Sequence, residues 1–64
     1  MSHPYGQLEK AKRTAAKIAA TRGLEIAIVD DHKTEPEYVP VRKIESFMAS
    51  EKHRGARVLC EVAP

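Results

Sequence analysis

A chain of 64 residues makes one domain, and at this size only about 60% of the unfolded surface is buried, so the fold is marginally stable. With 42% apolar and 31% charged residues, the composition is that of a folded protein and excludes a disordered one. A single cysteine excludes an internal disulfide and fits a reducing, cytoplasmic setting. No apolar run is long enough to cross a membrane, and the opening MSHPYGQLEK lacks the apolar stretch of a secretion signal.

The first predicted element is a helix that begins between Pro4 and Gln7 and ends at Gly23. Pro4 suits a first helical turn, Ser2 or His3 can cap it, and Gly23 supplies the left-handed conformation that closes helices. Leu8, Ala11, Ala15, Ile18 and Ala19 fall within one stripe at helical spacing. Residues 1–23 carry five basic and one acidic side chain, a balance of +4. Lys10, Arg13 and Lys17 stand opposite the apolar stripe, with Lys12 and Arg22 beside it.

The next segment, Leu24–Asp30, alternates Leu24, Ile26 and Ile28 with Glu25, Ala27 and Val29, the period of a strand. Turn formers in DHKTEP then predict a hairpin loop, followed by a short strand in EYVPV. Pro40 has no backbone donor and places that strand at an edge. Residues 24–41 carry five acidic groups against Lys33, a balance of −4. From Val41 the spacing turns helical through Ile44, Phe47 and Met48, and Gly55 stops the second helix. A last strand, ARVLCEV, points Val58, Cys60 and Val62 one way and Arg57, Leu59 and Glu61 the other.

The order α-β-β-α-β predicts an α+β two-layer sandwich. Its three-stranded, mainly antiparallel sheet has order 2-1-3, with both helices on one face. The expected core is Leu8, Ala15, Ile18, Ala19, Leu24, Ile26, Ile28, Val39, Val41, Ile44, Phe47, Met48, Val58, Cys60 and Val62.

Three surfaces are candidates for function. The Lys10–Arg13–Lys17 ridge can track phosphates by releasing their counterions, or meet an acidic protein surface. It also has a plain reading, because any amphipathic helix must expose a polar face. Aromatic side chains that stack bases are nearly absent from this helix and no nucleic-acid motif is present. The acidic loop, with Asp30, Asp31, Glu35 and Glu37, offers a negatively charged docking element that steers encounter. Asp is also an ordinary turn residue, and the loop lacks the Asp-x-Asp and glycine spacing of a calcium site. Asp31 and His32 are adjacent and point apart, so they make a poor acid–base pair. The third candidate is the uncovered sheet face, where Ala27, Val29, Tyr38 and Leu59 stand with Glu25, Arg57 and Glu61 as an interface for a partner or a second copy.

Cys60 reads as a small core hydrophobe, His53 as a helix-end residue whose charge complements the dipole, and His3 as part of a loose end. The three histidines and one cysteine match no zinc spacing. No catalytic set, metal set or cofactor motif is present. The size and layout are similar to those of small accessory proteins of phages and mobile elements, anti-CRISPR inhibitors among them, a likeness carried by no particular residue. The expectation is a non-enzymatic protein-binding module, an inhibitor or regulator of a nucleic-acid-handling complex. The alternative is a direct DNA- or RNA-binding protein that uses Lys10, Arg13 and Lys17, joined by Arg42, Lys43, Arg54 or Arg57 if these fall nearby.

Overall fold

The computed structural model describes residues 4–64, with side chains from Leu8 onward. Helix α1 spans Pro4–Arg22, strand β1 Ile26–Asp30 and strand β2 Glu37–Pro40. A 3-10 turn over Val41–Lys43 leads into α2, Ile44–Ala49, and a second one over Glu51–His53 leads to β3, Arg57–Val62. The sheet order is β2-β1-β3 and both pairings are antiparallel. Element order, pairing and strand order are those expected from sequence. The expected Ser2 or His3 cap lies outside the described residues.

α1 ends as its sequence dictates. Gly23 takes φ +68, and the amides of Gly23 and Leu24 both bond to the Ala19 carbonyl, at 2.7 and 3.2 Å. Its buried stripe is almost pure alanine: Ala11, Ala15 and Ala19 are at most 4% exposed. They pack on Ile26 and Ile28, with Leu8, Ile18, Leu24, Tyr38, Cys60 and Val62 around them. Alanine side chains let the helix axis lie close to the sheet, so large β1 side chains fill the space between.

The helices sit differently from expectation. Ala27, Val29 and Val39 form a second buried cluster, covered by Val41, Ile44, Phe47, Met48 and Ala56. Successive strand side chains point to opposite faces. Ile26 and Ile28 therefore meet α1 on one face, while Ala27 and Val29 meet the α2 segment on the other. The two-layer arrangement with both helices on one face gives way to three layers, with Ile26–Val29 of β1 fully buried between them. Neither apolar set of β1 can be left in water, and each recruits a cover.

The second helical segment is also broken where one helix was expected. α2 ends at Ala49; Ser50 adopts an extended conformation (φ −75, ψ 135) and its Oγ accepts the Lys52 amide at 3.4 Å. A serine that caps a new turn competes with continuation of the old one. Gly55, at φ +84, turns the chain into β3 and does not end α2.

β3 departs from simple alternation. Cys60 faces Ile28 and Val58 faces Val29, so Leu59 is an extra residue in a bulge. The bulge puts Val58 on the face opposite Cys60 and Val62, against expectation. Val58 is 39% exposed and leaves the core, and Leu59 is 46% exposed.

Candidate interaction surfaces

Because the alanine stripe of α1 faces β1, the opposite side of the helix faces water. Lys10, Arg13 and Lys17 all stand there, exposed. At 1.5 Å rise per residue they span about 10.5 Å of helix. None of the three has an acidic partner within 4.0 Å among the described residues, whereas Lys12 lies 4.0 Å from Glu9. Arg13 and Lys17 are one turn apart and repel by a few tenths of a kcal/mol. The ridge packs on nothing and neutralises nothing within the described fold.

The acidic loop is the reverse case, since most of its charge is satisfied internally. Asp31 is buried, its side chain 5% exposed, and His53 Nδ1–H donates to its Oδ2 across 2.7 Å. Glu37 Oε1 accepts from the Lys33 ammonium at 2.9 Å. That hydrogen bond, the charge of Glu37 and the weaker field of Asp31 raise the Lys33 pKa above its ordinary 10.5. The pair lies at the surface and its small stabilising effect, present below pH 10.5, fades as pH rises through the lysine range. Asp30 Oδ1 accepts the His32 amide at 3.1 Å, and Asp30 stands opposite Arg57 in the β1–β3 register. Glu35 alone among Asp30, Asp31, Glu35 and Glu37 has no such engagement among the described residues. The loop is a poor negatively charged prong.

Asp31 does not work with His32, its neighbour. It reaches His53, twenty-two residues along the chain. His32 swings away at φ +60, and its Nε2–H donates to the Gly55 carbonyl at 3.1 Å. The His53 ring stacks on Phe47, centroids 3.8 Å apart and planes 10° apart. Two histidines thus clasp the start of the β1–β2 loop to the turn before β3. A carboxylate only accepts, which fixes His53 with its proton on Nδ1. This is how a carboxylate orients an imidazole, here used to join two segments. No local motif marks the pair in the sequence; its only trace is two chemically matched residues at distant turn positions.

The supposed open sheet face is closed. Val29 is fully buried beneath the α2 segment and Ala27 with it, so neither can meet a partner. Tyr38 is half-buried on the α1 side. Of that group Glu25, Arg57, Leu59 and Glu61 remain exposed, the last three on the open edge of β3. Cys60 is half-buried against the α1 cluster, as its place in the strand suggested.

Three other basic residues do not extend the ridge. Arg42, Lys43 and Arg54 are exposed in the α2 layer, across the sheet from α1. Among the described residues no group of three or more His, Cys, Asp or Glu is placed to hold a metal ion. A shallow depression is lined by Lys33, Thr34, Glu35, Pro36, Glu37 and Tyr38, and does not include the Asp31–His53 pair. No helix among the described residues is long and apolar enough to cross a membrane.

No family model, curated protein or solved structure matches this chain.

Proposed function

We propose that this protein is a small non-enzymatic binding module, cytoplasmic, that docks an acidic surface of a protein partner through Lys10, Arg13 and Lys17. It acts by stoichiometric occupation, as an inhibitor or regulator of a nucleic-acid-handling complex of the kind that phage and mobile-element accessory proteins target. The observation that carries this reading is the outer face of α1. Three cations are held at fixed spacing on a rigid helix, with no acidic partner in the described fold. Charges that repel one another and support no packing are a cost to stability, and a partner is what would offset it.

A protein partner is favoured over a nucleic-acid backbone by the layout of the other cations. A phosphate track needs a continuous basic groove, and single-strand binders add aromatic platforms. The ridge is only about 10.5 Å long, Arg42, Lys43 and Arg54 lie across the sheet, and Tyr5 is the single aromatic residue in the sequence of α1.

The test compares the wild type with the Lys10→Glu/Arg13→Glu/Lys17→Glu variant. The expected result is capture of a partner by the wild type only, with unchanged circular dichroism and weak binding of nonspecific DNA and RNA by both at moderate salt. Tight, steeply salt-dependent binding of nonspecific nucleic acid by the wild type, abolished in the variant, would replace the protein partner with a phosphate backbone.

A further inference from the structure

We draw no further inference here: the strongest candidate, the open edge of β3 with Val58 and Leu59 exposed at the bulge, is an apolar edge whose flanking charges, Arg57 and Glu61, are turned to opposite faces by that bulge, and nothing in the structure shows what covers it.

Discussion

Asp31 is the one charged side chain buried among the described residues, and its environment decides what may be changed around it. A buried carboxylate is tolerated only with a partner, and truncating that partner leaves the charge stranded. His53→Ala should therefore cost about 2–3 kcal/mol, a large share of the ~3–5 kcal/mol a core of this size supplies. His53→Gln, which can still donate to Asp31, should cost less. Urea denaturation of the two variants checks this, and equal losses would mean that the Phe47 stack, not the hydrogen bond, carries the contribution. The two positive-φ glycines separate in the same way. A side chain at Gly23 would enter open space, so Gly23→Ala pays only the left-handed backbone, about 1 kcal/mol. At Gly55 a Cβ would lie 3.2 Å from His32 Nε2. Gly55→Ala adds that crowding to the backbone cost and loosens the His32 bond to the Gly55 carbonyl. It should be the more damaging of the two by thermal melting.

At the scale of elements, periodicity reads the chain well and then misleads at one point. Helix α1, its alanine face and its glycine stop follow from spacing and local chemistry, as do the two turns and the edge position of Pro40. The placement of α2 turns on how β1 is read. Leu24, Ile26 and Ile28 look like one apolar face only if Ala27 and Val29 are discounted. The unbroken run Ile26–Val29 is instead the pattern of a strand covered on both sides, and that is how it folds. The Leu59 bulge and the Asp31–His53 clasp are beyond such reading, because each depends on a partner far away in sequence. The close seating of α1 leads to a further prediction. Ala15→Leu inserts volume where nothing is exposed and should destabilise by about 1–3 kcal/mol. Ala16→Leu, one residue away on an exposed position, should stay within about 0.5 kcal/mol. Chemical denaturation of the pair tests the assigned faces directly, and a loss at Ala16 equal to that at Ala15 would mean the helix is rotated.

For the molecule as a whole, the segregation of charge along the chain does not survive as segregation in space. Three of the five acidic groups in the acidic stretch are engaged by the fold, Asp31 through His53, Glu37 through Lys33 and Asp30 through the His32 amide. The basic residues divide between the two outer layers. One face of α1 carries three closely spaced cations with no acidic partner among the described residues, and stability and binding should pull in opposite directions there. Lys10→Ala/Arg13→Ala/Lys17→Ala removes the repulsion within the ridge and inserts the best helix former at three exposed positions. The variant should be as stable as the wild type or more so, by up to about 1 kcal/mol, while losing partner binding. An equal triple change at Arg42, Lys43 and Arg54, across the sheet, should leave binding intact. Melting curves and a binding assay on the same two proteins give both readouts. A marked fall in stability of the α1 variant would mean the ridge serves the fold, and retained binding would move the interface elsewhere.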